Sequence, residues 1–215
     1  MKKVFKVAIY ELKLMCFSSK FLILSVLAFI IMDVTVRGYR MFSHDYNLPI
    51  APAVLPFYFA DVSYGNIEIL FLLLWFSDVP MKQRVQNQIL QRCGMPCFAL
   101  GHLFSIVFAT IVFVLEQFVF SVLLCGTNLT FTSWGKVWGS AAAGTVKKLG
   151  YSSGFVISKN VFQNYTVPQA LLFSMTIFLL MGICYGMVEF LLNGLQKGKL
   201  GTVVLSRVRD RKSVV

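Results

Sequence analysis

The side chains able to do chemistry in this 215-residue chain are few and scattered. His44 and His102 are its two histidines, and the apolar stretches between them set them at different depths. Cys16, Cys93, Cys97, Cys125 and Cys184 show no spacing of a metal site or disulfide framework. Cys93 and Cys97 flank Gly94-Met95-Pro96, which strains them as a zinc pair even with His102 nearby, so small apolar filler is their expected role. Glu68, Glu116 and Glu189 lie in apolar surroundings without an evident pairing at one depth, which an intramembrane hydrolase needs. No GxSxG or HExxH occurs, and a Ser-His-Asp site needs partners that the apolar segments separate. "GLQKGKLGT" at 194–202 has the flavour of a phosphate loop. However, Gly194 and Gly198 are too close for GxxxxGK[ST], and Leu200 replaces the magnesium-binding hydroxyl. The expectation is a protein that is not an enzyme, with no cofactor or metal site and no ATP binding of its own.

A different kind of signal lies in "DVPMKQRVQNQILQRCGMP", residues 78–96, a polar strip between two very hydrophobic stretches. It carries three basic residues and four glutamines, and no acid after Asp78, so its net charge is positive. Ser77 or Asp78 can cap a helix there, with Pro80 in the first turn, Gly94 as a left-handed stop and Pro96 barring continuation. Met81, Val85 and Ile89 recur every four residues as a narrow apolar stripe, with Lys82, Arg84 and Arg92 off it. The spacing predicts a short surface helix over 79–93.

The elements that must position this strip are membrane spans. The chain is 57% hydrophobic and 13% charged with a mean hydropathy of +0.73, where soluble domains carry about 25% charge. Runs of about 17–25 apolar residues cross roughly 30 Å of hydrocarbon as helices. Four segments qualify: about 18–36, 65–77 (from 62 if the turn at Val62–Asn66 is helical), 97–125 and 167–193. None alternates as a barrel wall must. The fold class is therefore all-α, a polytopic integral membrane protein with about four spans. A net charge of +11 could indicate nucleic acid, but the cations are spread along loops, where membrane orientation and anionic lipid explain them better.

Before the first span, residues 2–17 read as an amphipathic helix. Lys3, Lys6, Tyr10 and Lys13 form one face, and Phe5, Ala8, Ile9, Leu12, Met15 and Cys16 the other, expected to lie apolar side down in the interface. The leader is too long and lacks the cleavage pattern of a signal peptide. The first span is expected to end near Asp33 and Arg37, leaving His44 in a loop where Pro49, Pro52 and Pro56 bar regular helix. A carboxylate at mid-membrane costs about 2.5–3.5 kcal/mol on insertion scales, so Glu116 is expected at the interface or facing protein. Ser133 is a candidate cap for a surface helix whose Trp134 and Trp138 suit the headgroup zone. Gly182 and Gly186 form a GxxxG pair that allows close helix packing. Lysine and arginine number twelve in 1–20, 78–96 and 195–209, against six in the alternate loops, which predicts a cytoplasmic N-terminus and strip.

A basic interfacial helix, a first hairpin, and a capped helix between spans two and three resemble the membrane subunits of type-two ATP-binding-cassette (ABC) exporters. "LPFYFADVSYGN", "LLLWFSDVPM", "SWGKVWGS" and "VPQALLFSMTIFLLMGICYGMVEFLLNG" are similar to segments of bacterial members. The resemblance covers most of 1–209 and implies six spans, a separate ATPase and a second permease, identical or homologous. It implies that Met81, Lys82, Arg84, Val85, Ile89 and Arg92 contact the ATPase, the apolar stripe entering a groove and the cations meeting acidic rims. The plasma membrane of a bacterium is the expected location. A non-transporting immunity or sensor component that binds a partner is the alternative.

The chain has four spans where that family has six. "DRKSVV" at 210–215 matches the translation of a common sequencing adapter, which leads to the expectation of a non-native tail on a shortened chain.

Overall fold

One serine joins the first two helices. In the computed structural model, α1 (Lys2–Cys16) and α2 (Ser19–Asp45) meet at Ser18. Its hydroxyl donates to the Met15 carbonyl at 2.7 Å and accepts from the Phe21 N–H at 3.2 Å, finishing one helix and capping the next. The structure describes residues 1–77, 79, 86–126, 128–151, 154, 155, 157 and 159–196. The tail 210–215 lies outside the described residues.

The remaining helices are α3 (Leu55–Ala60), α4 (Val62–Phe76), α5 (Gln86–Cys93), α6 (Met95–Cys125), α7 (Gly135–Ala142), α8 (Thr145–Lys148), α9 (Lys159–Asn164) and α10 (Val167–Gln196). Among the described residues there is no strand, only an isolated parallel bridge between Ile50 and Leu129. α2, α6 and the Val167–Asn193 part of α10 run for 27, 31 and 27 residues, each containing an apolar stretch of 18. At 1.5 Å per residue each exceeds roughly 30 Å of hydrocarbon. α4, with 15 residues, reaches only about 22 Å. It starts at Val62, and the Asp61 carboxylate before it accepts from the Ser63 and Tyr64 N–H groups at 3.0 and 3.5 Å. The chain is an all-α polytopic membrane protein, with three helices long enough to cross and a shorter apolar fourth.

The chain path gathers α1, Ser77, Val79, α5 and the last turns of α10 at one end, the connector end. The turns after α2 and α6, with α7 to α9, form a cap at the other. Each region has its own core. Met15, Leu24, Ala28, Leu72, Trp75, Phe76, Ile106, Phe113 and Phe178 pack in the bundle. Met32, Tyr39, Phe57, Tyr58, Trp138, Phe155 and Leu171 pack in the cap.

Three expectations are corrected here. α2 does not end near Arg37 but continues to Asp45, so His44 lies in its last turn. Asp33 and Arg40, two turns apart, pair at 2.9 Å along the helix, and Tyr39 and Phe42 beyond them are buried by the cap. Ser133 does not cap α7, whose N-cap is Trp134, and the indoles do not face headgroups. Trp138 is fully buried and donates to the Ala51 carbonyl at 2.8 Å; Trp134 donates to the Tyr165 carbonyl at 2.8 Å. Lastly, α1 does not simply lay one apolar face on lipid. Val7, Ala8, Glu11 and Met15 are buried by protein, while Phe5 and Ile9 stay exposed and the lysines project outward.

Pro49 and Pro52 do lie in non-helical chain. Pro56 falls in the first turn of α3, where its missing N–H leaves no bond unmade.

Candidate functional site

The polar strip is the most distinctive feature of the connector end. Met81, Lys82, Arg84 and Val85 lie outside the described residues. α5 brings Ile89 and Arg92 into view, Ile89 half-buried and Arg92 exposed. It stops at Gly94, whose N–H bonds the Leu90 carbonyl at 2.9 Å and whose φ of 78° suits glycine. Nothing lies within 4 Å of where a Cβ would be, so backbone conformation, not space, requires glycine there. Met95 and Pro96 then open α6.

Both limbs of the connector are tied to the bundle. On the α4 side, the Asn193 side chain of α10 donates to the carbonyls of Ser77 at 3.0 Å and Val79 at 2.7 Å. Lys20 of α2 donates to the Ser77 hydroxyl at 2.9 Å, and Trp75 donates to the Met15 carbonyl of α1 at 3.3 Å. On the α6 side, α1 packs so closely that a Cβ on Gly101 would sit 2.6 Å from Val7 Cγ1. Glu11 Oε1 and His102 Nε2 are 3.9 Å apart and both buried, an ion pair whenever the imidazole is protonated. Phe5 stacks on Phe104 with ring centroids 5.8 Å apart. α1 is therefore a strap that touches the end of one span and the start of the next.

Gly182 and Gly186 face α6 and α4. A Cβ on Gly182 would lie 2.5 Å from Thr110 Cγ2 and 3.2 Å from Leu72 Cδ1. On Gly186 it would lie 2.4 Å from Ile106 Cγ2 and 3.2 Å from Phe76 Cδ2. α10 thus closes on two helices through glycines one turn apart, the approach that small residues permit in lipid.

Sequence reasoning missed Asn193, Glu11 and Gln117. Asn193 read as the end of a span, although an amide there is a ready donor to loop carbonyls. Glu11 stands among lysines and was assigned to neither face of the helix. Its signal was position, four residues after Val7 and four before Met15 on the face that packs against α6. Glu68, set aside for want of a partner, is fully buried and accepts from Tyr58 Oη at 3.0 Å. Glu116 is half-buried and faces Ser25 of α2.

Comparison with known proteins finds no matching family, no matching curated protein and no matching solved structure.

Proposed function

We propose that this chain is a permease subunit of an ATP-driven exporter of the ABC type, set in a bacterial plasma membrane with α1 and the connector in the cytoplasm. What supports the reading above all is a short polar helix between two apolar ones, with its α4 flank hydrogen-bonded to α10 and its α6 flank packed by α1. A separate ATPase binds ATP, and the chain itself catalyses nothing. A second permease subunit completes the assembly. In this mechanism the ATPase holds the connector through Val85, Ile89 and the nearby cations. Closure of the ATPase dimer displaces the connector. Asn193 passes the displacement to α10, and α1 passes it to α4 and α6 together, giving a rigid-body tilt of spans.

The test is co-purification with the ATPase encoded beside the gene. Replacing Val85 and Ile89 with Asp puts two charges on the docking stripe and is expected to cut recovery of the ATPase at least tenfold. Unchanged recovery refutes the docking role. An open cleft of about 590 Å³ in the cap, lined by Pro49, Trp134, Lys136, Phe162 and Tyr165, favours a second reading, a non-transporting immunity or sensor protein that binds its partner at that end. Absence of any ATPase gene nearby selects it.

A further inference from the structure

Glu68 of α4 and Gln117 of α6 are both fully buried. Tyr58 satisfies Glu68 Oε1, yet Glu68 Oε2 and both amide atoms of Gln117 have no hydrogen-bond partner among the described residues. Buried polar atoms in folded proteins almost always have a partner, so these three atoms call for one.

The register of the bundle sets these residues at nearly one level. α4 and α6 run antiparallel, with Phe76 and Ile106 meeting at Gly186, and Leu72 and Thr110 meeting at Gly182. One turn further toward the cap, Glu68 comes level with Val114, and Gln117 lies less than a turn beyond. Thr110, Val114, Gln117 and Ser121 form one buried stripe of α6, so the amide faces the same interior as the carboxyl.

The titratable groups around Glu68 are Tyr58 from α3 and Glu116 from α6, with Tyr64 of α4 stacked on Tyr58. Among the described residues no lysine, arginine or histidine pairs with it. A bare carboxylate enclosed by apolar helices is strongly disfavoured without a countercharge.

We infer that Glu68, Gln117 and Tyr58 form an intramembrane site for one small positive charge, a proton or a monovalent metal cation such as sodium. The Glu68 carboxylate, the Gln117 amide oxygen and the Tyr58 hydroxyl are hard oxygen donors of the kind that such cations take. Sodium entering the protonated site forms its contacts to Glu68 Oε2 and releases the carboxyl proton to water, so the charge of the site is unchanged. The inference does not rest on the permease reading.

The experiment uses the purified full chain in detergent, with sodium chloride exchanged for choline chloride at constant ionic strength. If sodium is the ligand, the midpoint of thermal unfolding rises by about 5 °C at a hundredfold excess over Kd. The rise shrinks at acidic pH, where protons compete, and Gln117→Leu weakens the apparent affinity about tenfold. If the proton is the ligand, sodium has no effect and the infrared band of a buried protonated carboxyl is present. Glu68→Gln removes that band. Should Glu68→Gln fail to fold, Tyr58→Phe replaces it, because losing the bond to Oε1 shifts the band. A wild-type chain with neither the sodium response nor the band, or a band that no variant moves, overturns the site and leaves water as the partner of these atoms.

Discussion

The cap and the bundle are both rich in aromatic residues, but directional bonds tie the cap throughout and the bundle at its connector end. In the cap, side-chain donors are fixed to backbone carbonyls far away in sequence. Tyr39 bonds Phe155 at 2.8 Å, Trp138 bonds Ala51 at 2.8 Å and Ser121 bonds Pro52 at 2.9 Å. These bonds satisfy carbonyls of non-helical chain, Ala51 and Pro52 in the proline-containing loop and Phe155 in the cap. In the bundle the helices meet through glycines and stacked rings, such as Phe59 on Phe178 with centroids 4.1 Å apart. Directional bonds fix one arrangement, whereas smooth packing surfaces allow helices to shift by small steps. A transporter reading needs that division, with a fixed cap above a bundle that responds to its connector.

The largest effect is expected from Trp138→Ala. It removes a fully buried indole and leaves the Ala51 carbonyl unbonded, at a cost of about 4 kcal/mol. Thermal unfolding monitored by circular dichroism reads it, and Trp138→Phe, which keeps the ring, should lose about half as much. Gly186→Leu probes the other region. A Cβ there already falls 2.4 Å from Ile106, so overpacking is expected to cost about 3 kcal/mol and to push α10 off α6. Cross-linking between cysteines placed on α6 and α10 reports the separation. A loss smaller than that of Trp138→Phe would make the glycine contacts incidental.

The smallest effect belongs to the rim of the cap, where Tyr151 Oη donates to Asp45 Oδ2 at 2.7 Å. This bond, together with partial desolvation and the carboxylate's charge, pushes the phenol up from about 10 to about 12. A raised pKa means stability that is fully present below pH 10 and lost as pH rises through 12. Comparing unfolding of the native chain and Tyr151→Phe across that window should show their difference vanish at the alkaline end. A constant difference would assign the contact to packing alone.

The spans were legible because an apolar run of membrane length admits one solution, and Gly94 with Pro96 marked the stop of α5 for local reasons. The length of α2 was not. Asp33, Arg37 and Arg40 signal an exit from the membrane, while helix continuation depends on burial by cap residues more than a hundred positions away, such as Phe155. The tryptophans misled for a related reason. An indole has an apolar body and one donor, which suits a headgroup or a buried carbonyl equally, and only the fold supplies Ala51 as the partner. Of the proposed docking residues, the spacing of Met81, Val85 and Ile89 was local and readable. The clamp by Asn193 joins positions 114 and 116 residues apart and leaves no trace in either segment.

The most direct measurement of the connector's role is thiol labelling of Ile89→Cys in a chain whose five native cysteines are replaced. A membrane-impermeant reagent is applied to right-side-out and to inverted vesicles, with and without the ATPase. The expected result is labelling from the cytoplasmic side alone, suppressed when the ATPase is bound. Labelling from the outer side, or labelling indifferent to the ATPase, would contradict a connector that couples the two subunits.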